Sequence, residues 1–224
     1  MIKIIERQLK FVGMVALNRT AANLAMFRMP NLAQEVFDNP TPYILRGFKY
    51  RKAEKDNLTA EVFVDDYVGP SPAKSLAAEV FGGQRKLKRF ELALQYKGIL
   101  PAGQYAVPGK DAQRDSYGNM SGSQIVQILS TLQAFAETGY TANKTARSES
   151  RKRNPMQLFV ITAKGNLTPG IYQRMANHTI KQLIKFVKQP VYEKRFPFFT
   201  EGSRLAEEIF QREYSNCFNQ YINK

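Results

Sequence analysis

Ile5, Leu9, Val12 and Ala16 recur at spacings of four, three and four residues, which places them on one stripe of a helix. That stripe constrains the fold more than any other feature, because a long first helix must bury it against a partner. Ala16, Ala21, Ala22 and Ala25 let a second element pack closely against the later turns. The spacing predicts a helix over about residues 3–29, with Pro30 as its stop, since proline lacks an N–H and its ring strikes the preceding turn. Gly13 inside that helix costs about 1 kcal/mol relative to alanine, so tertiary packing has to hold it.

After a proline-punctuated loop, residues 46–53 and 58–66 alternate as two strands. Phe48 and Tyr50 interleave with Lys49 and Arg51, and Ala60, Val62 and Val64 interleave with Glu61 and Asp65. Glu54 to Asn57 connects them as a hairpin. Ser71-Pro72 is a helix start, serine at the cap and proline in the first helical position, and the short helix ends at Gly82-Gly83.

A second helix runs to Gly98 with Leu87, Phe90 and Leu94 as its stripe. Its first turn then holds Arg85, Lys86, Lys88 and Arg89, cations that oppose the helix dipole. Either these side chains face a partner, or solvent screens them, or the helix begins later. Residues 99–120, rich in Gly and Pro, read as loop. Ser121 or Ser123 caps a helix whose face is Ile125, Ile128, Leu129, Leu132 and Phe135.

Residues 140–154 turn polar and basic, and read as a flexible arm with nothing to bury. Met156–Thr162 is a strand apolar on both faces, expected in a sheet interior, with Ile171–Met175 as a neighbour. Ile180–Val187 is ambiguous: Ile180, Leu183, Ile184 and Val187 fit a helix by spacing. A last helix from about Ser203 turns Ala206, Ile209, Phe210, Cys217 and Tyr221 toward the core.

Net charge is +14, and residues 140–200 supply +10 of it. Such a field favours anionic partners: nucleic acid, an acidic protein surface or a headgroup layer. One cysteine, Cys217, and one histidine, His178, exclude an internal disulfide and argue against a metal cluster. No run approaches the roughly 20 apolar residues that span a bilayer, and the N-terminus does not read as a secretory signal.

No phosphate-cradling glycine loop or nucleophile elbow is present. Asp65-Asp66 is better read as a strand end than as a magnesium site, because adjacent strand residues face opposite ways. Cys217 reads as a buried thiol. An enzyme is disfavoured, with no catalytic residue, cofactor or metal expected. Tyr192, Phe196, Phe198 and Phe199 interleave with Lys194 and Arg195, either as buried loop anchors or as a stacking surface for single strands.

The run Phe11-Val-Gly-Met-Val-Ala-Leu-Asn-Arg-Thr-Ala-Ala22, followed by Thr41-Pro-Tyr-Ile-Leu-Arg-Gly-Phe48, carries a resemblance. It is similar to the minor tail and tail-completion proteins of tailed bacteriophages, the group around minor tail protein Z of lambda-like phages. These open with a helix reading A-L-N-x-T-A and a T-P-x-x-x-x-x-F turn into the first strand. Shorter matches follow at Ala53–Val62, Leu100–Gly109, Gly118-Asn119-Met120, Gly170-Ile171-Tyr172, Phe186-Val187 and Tyr192–Phe196, and the resemblance implies that Ile180–Val187 is a strand ending at Pro190, so it is taken as one. The long middle, residues 67–155, departs from the pattern.

The expected fold is α+β: an antiparallel sheet of four to five strands packed by N-terminal and C-terminal helices, with long irregular loops. Residues 1–224 are taken as one tail-completion-like domain, with 67–155 an elaborated middle and 140–154 a basic arm. The resemblance implies a structural virion protein at the tail or head-to-tail interface, assembled in the host cytoplasm as multiple copies around the DNA channel. Its partners would be itself, other tail or neck proteins and DNA, with no membrane. Candidate contact residues are Arg85, Lys86, Lys88, Arg89, Lys144, Arg147, Arg151, Lys152, Arg153, Lys194 and Arg195. The alternative is a free, non-sequence-specific nucleic-acid-binding protein.

Overall fold

The structure, a computed structural model, describes residues 2–134, 157–162 and 165–222. The expected basic arm, residues 140–154, lies outside them. Contacts group the chain into two compact units. The first comprises Met1–Gly83 and Tyr192–Lys224, the second Gln84–Val191.

In the first unit, α1 (Ile2–Asn23) lies antiparallel to the C-terminal helix α7 (Phe198–Tyr221). Val12 and Ala16 are buried with Cys217, and further along Leu24 is buried with Leu205 and Ile209. Ile5 and Leu9 of the expected stripe stay exposed; Phe11 already packs edge-on against Tyr221, the last residue of α7. The C-terminal helix begins at Phe198, five residues earlier than expected, directly after Pro197.

Pro30 does not end the first helical run, which corrects the sequence expectation. Leu24–Arg28 form a π-helical turn, with the Met29 N–H bonded to the Leu24 carbonyl five residues back. A new helix, α2 (Met29–Val36), follows with Pro30 in its first turn. The wider turn resets the bonding register where proline could not have donated, and a helix's first turn tolerates a missing N–H.

Thr41 caps a one-turn helix, α3 (Pro42–Leu45), and the chain enters β1 (Phe48–Arg51), which pairs antiparallel with β2 (Glu61–Val64). The expected hairpin is therefore present. Val62 packs against Leu24, Leu205 and Ile209, so the N- and C-terminal helices cover this sheet. Ser71 caps α4 (Pro72–Phe81), accepting from the Lys74 N–H, and Gly82 ends it at φ 73°. Phe196 is buried with Met29, Ala33, Phe48 and Leu76, and the Arg195 and Phe196 N–H groups both donate to the Glu79 carbonyl. Phe196 is thus a loop anchor.

The chain crosses between units in two short strands, β3 (Gly83–Gln84) and β8 (Val191–Tyr192). The second unit is a four-stranded antiparallel sheet built from β4 (Gln104–Pro108), β5 (Gln157–Ile161), β6 (Gly170–Arg174) and β7 (Ile180–Lys188), ordered β4-β7-β6-β5. Helices α5 (Arg89–Tyr96) and α6 (Gly122–Thr131) bury Leu94, Ile128 and Leu129 against Ala106, Ile171, Ile184 and Phe186. Ser121 is the cap of α6.

Two expectations are corrected here. β4 emerges from the stretch read as loop, and it takes an edge position, where its Pro108 is tolerated. β5, expected in the interior, is the other edge, and its apolar residues are only half-buried. The strand taken over a helix at residues 180–187 is β7, an interior strand, and β6 pairs with β5 as expected. A register shift between Ile171 and Tyr172 leaves Leu183 without an opposite residue on β6, although its carbonyl accepts the Gly109 N–H on the other side, and both Leu183 and Ile184 join the core.

Candidate assembly surface

The first unit holds an open groove of about 430 Å³ walled by α1, the π-helical turn, β2 and α7. Small residues keep it open. Ala21 on α1 lines it together with Gly202 and Ala206 on α7, and among the described residues a Cβ at Gly202 would meet only the Met29 sulfur, at 3.9 Å. Leu24, Met29, Val62 and Phe198 supply apolar walls. Thr20 also lines the groove, but its hydroxyl already donates to the Ala16 carbonyl at 2.8 Å. Glu207 stands at the rim, exposed and without an ion pair among the described residues.

Large apolar side chains stand in solvent nearby. Phe199 on the groove wall is 60% exposed and packs at 6.0 Å from Phe81, itself 63% exposed. Met26 and Phe27 of the π-helical turn are 60% and 58% exposed, while Leu24, Ala25 and Met29 around them are buried. Sequence reading missed this pair, although one signal was present. A helix continuing through Pro30 must widen, because the proline ring would strike the Met26 carbonyl.

The candidate cations occupy different environments. Arg85 is not a surface charge: its guanidinium makes two hydrogen bonds, 2.7 and 2.6 Å, to the fully buried carboxylate of Glu91. It also stacks over Tyr105, 4.6 Å to the ring centroid. Glu91 further accepts from the Lys88 N–H at 2.6 Å and the Ala106 N–H at 2.8 Å. Because α5 starts at Arg89 with Lys88 as its cap, Arg85 and Lys86 precede the helix, and two of the four cations, not all four, stand at its N-terminus. Glu91 occupies the first turn, where an acid suits the dipole.

Lys86, Lys88 and Arg89 are exposed. Arg195 is held at 2.9 Å by Glu79 and lies 5.7 Å from the Phe37 ring, and Lys194 is exposed beside Gly82. Lys144, Arg147, Arg151, Lys152 and Arg153 lie outside the described residues. Sequence reasoning did not single out Arg174, Lys181, Lys185 and Lys188, exposed cations on β6 and β7.

Asp66 accepts from Ser71 Oγ at 2.6 Å and faces Lys74, a turn role, and the Ser71 hydrogen bond leads the causes that hold its carboxyl below the ordinary value. His178 sits at φ 61° in the turn between β6 and β7, and Cys217 belongs to the other unit. Among the described residues no group of three or more His, Cys, Asp or Glu is placed to hold a metal ion, and no helix is long and apolar enough to cross a membrane.

Comparison with protein-family models, with curated proteins and with solved structures finds no match.

Proposed function

We propose that this chain is a structural virion protein of a tailed bacteriophage, placed at the tail or head-to-tail interface in multiple copies around the DNA channel. The observation that carries the reading is the apolar groove of the first unit, open beside exposed Phe81 and Phe199 and close in sequence to exposed Met26 and Phe27. Exposed apolar surface of this kind marks an interaction site in a chain that must otherwise stay soluble. The opening helix and the Thr41-capped turn into β1, the elements that carry the resemblance, both belong to this unit. Antibody raised against the recombinant chain should label the neck or tail of purified particles of the phage that carries its gene. Particles free of the protein would overturn the reading.

A second reading is a free nucleic-acid-binding protein. It is favoured by one observation: residues 157–192 carry Arg174, Lys181, Lys185 and Lys188 and not one carboxylate. Binding would come from counterion release and not from base contacts. Two duplexes of unrelated sequence should then bind equally, and both should be released steeply as salt rises. The same weak association suits a protein lining a DNA channel, so particle labelling decides between the readings.

A further inference from the structure

Met26 and Phe27 stand out on one side of the π-helical turn, while Leu24 and Met29 on its other side line the groove. One short segment thus presents an apolar projection and, facing the opposite way, the wall of an apolar recess. We infer that the groove receives Met26 and Phe27 of a second copy of this chain, joining copies head to tail. The inference deepens the assembly reading above and rests on it.

Charge supports that occupant. Residues 7–34 hold Arg7, Lys10, Arg19 and Arg28 and no acid. Helix α7, the opposite wall, carries Glu201, Glu207, Glu208 and Glu213 against Arg204 and Arg212, so it is net acidic in a chain of net charge +14. Three of those glutamates already have arginine partners, Glu201 and Glu208 with Arg204 and Glu213 with Arg212. Glu207 at the groove rim has none among the described residues. Among the described residues Arg28, next to Phe27, has a single ion-pair contact, a loose 3.8 Å approach to Glu208. An incoming Phe27 therefore brings Arg28 toward an acidic rim.

A small polar ligand fits less well. Binding pockets orient such ligands with a few convergent polar groups, and here Thr20 is already bonded to its own helix. A contact whose two halves lie on different surfaces is heterologous, so it propagates into a ring or a filament.

Sedimentation velocity on the full chain over a wide concentration range tests this. The wild type should self-associate with rising concentration. Phe27→Ser should weaken association about thirtyfold or more, and Ala206→Phe, which fills the groove, should do the same. Circular dichroism and melting curves should match the wild type for both variants. Mixed together, the two should form dimers and nothing longer, because one intact projection meets one intact groove. Glu207→Arg should weaken association about two- to fivefold, and Arg28→Glu added to it should restore the loss.

A wild type that stays monomeric throughout overturns the inference. So does an oligomer that Phe27→Ser and Ala206→Phe leave unchanged, or a mixture of folded variants that fails to pair. Should Ala206→Phe fail to fold, the Phe27→Ser and charge-swap results decide alone. Failure here, with the protein still found in particles, moves the contact elsewhere and leaves the virion reading standing. Association with no protein in particles does the reverse.

Discussion

Arg85 and Glu91 face each other through two parallel hydrogen bonds of 2.7 and 2.6 Å, with the carboxylate fully buried. The pair joins the segment before α5 to the edge strand β4, because the same carboxylate accepts the Ala106 N–H. Removing one member leaves the other buried and unpaired, which costs far more than a surface ion pair is worth. Glu91→Ala and Arg85→Met should each destabilise the fold by about 3–5 kcal/mol in urea titrations. Lys86→Ala and Arg89→Ala, at exposed sites, should stay within about 0.5 kcal/mol of the wild type.

Acid should weaken the protein through the same carboxylate. Desolvation pushes the Glu91 carboxyl up, but the Arg85 hydrogen bond, the Lys88 and Ala106 N–H groups and the Arg85 charge outweigh it. The folded value therefore lies below the ordinary glutamate value. Its stabilising contribution is complete above the unfolded-state carboxylate range and is lost as pH falls through the lowered folded value. Melting temperature should fall with acidification in the wild type, and Glu91→Gln should flatten that fall from a lower starting point.

Two glycines should respond to alanine with opposite signs. A Cβ at Gly170 would overlap the Ile184 carbonyl of the neighbouring strand, whereas one at Gly13 in α1 meets nothing within 4 Å among the described residues. Gly170→Ala should cost about 1–3 kcal/mol or more, as overpacking does. Gly13→Ala should stabilise by about 0.5–1 kcal/mol, from helix propensity and a less flexible unfolded chain. Chemical denaturation of both variants checks the pair.

Cys217 should be inert in the native protein. It is fully buried between α1 and α7, with Arg19 Nη1 donating to its sulfur at 3.3 Å. Desolvation, and beyond it the Glu213 charge, push the thiol up despite Arg19. Since the thiolate is the reactive form, alkylation at neutral pH should proceed only as fast as the helix pair opens. Rapid native-state labelling would place the thiol at the surface.

Tyr43 should titrate late. Desolvation, the hydrogen bond from Tyr67 and the charges of Tyr67 and Asp65 push its phenol up to about 12. Tyr67→Phe removes the second and third causes and should bring the Tyr43 value down toward 10, read by ultraviolet difference titration. Because the folded value is raised, the stability this phenol contributes is present below the unfolded value and lost as pH rises through about 12.

Local signals carried much of the fold. Ser71-Pro72 announced α4, and Ser121 or Ser123 announced α6, with Ser121 the cap that forms, because a capping oxygen acts within three residues of itself. The β1–β2 hairpin and the β5–β6 pair were legible from short-range apolar patterning, and the α+β class with terminal helices over a sheet followed. What the chain could not display locally was which surfaces meet.

Gln157–Ile161 looks interior by composition, yet strand order puts it at an edge. Pro30 looks like a stop, yet the π-helical turn carries the chain past it and leaves Met26 and Phe27 in solvent. Arg85 looks like one of four surface cations, yet Glu91 draws it inward. Each outcome depends on a partner brought in by folding: a neighbouring strand, an opposing helix or a buried carboxylate. Residue type and spacing alone determined the elements with strong local signals, α4, α6 and the β1–β2 hairpin among them, but not β4 or the π-helical turn; the tertiary structure decided those two together with burial, pairing and exposure, because those energies belong to contacts between elements and not to the elements themselves.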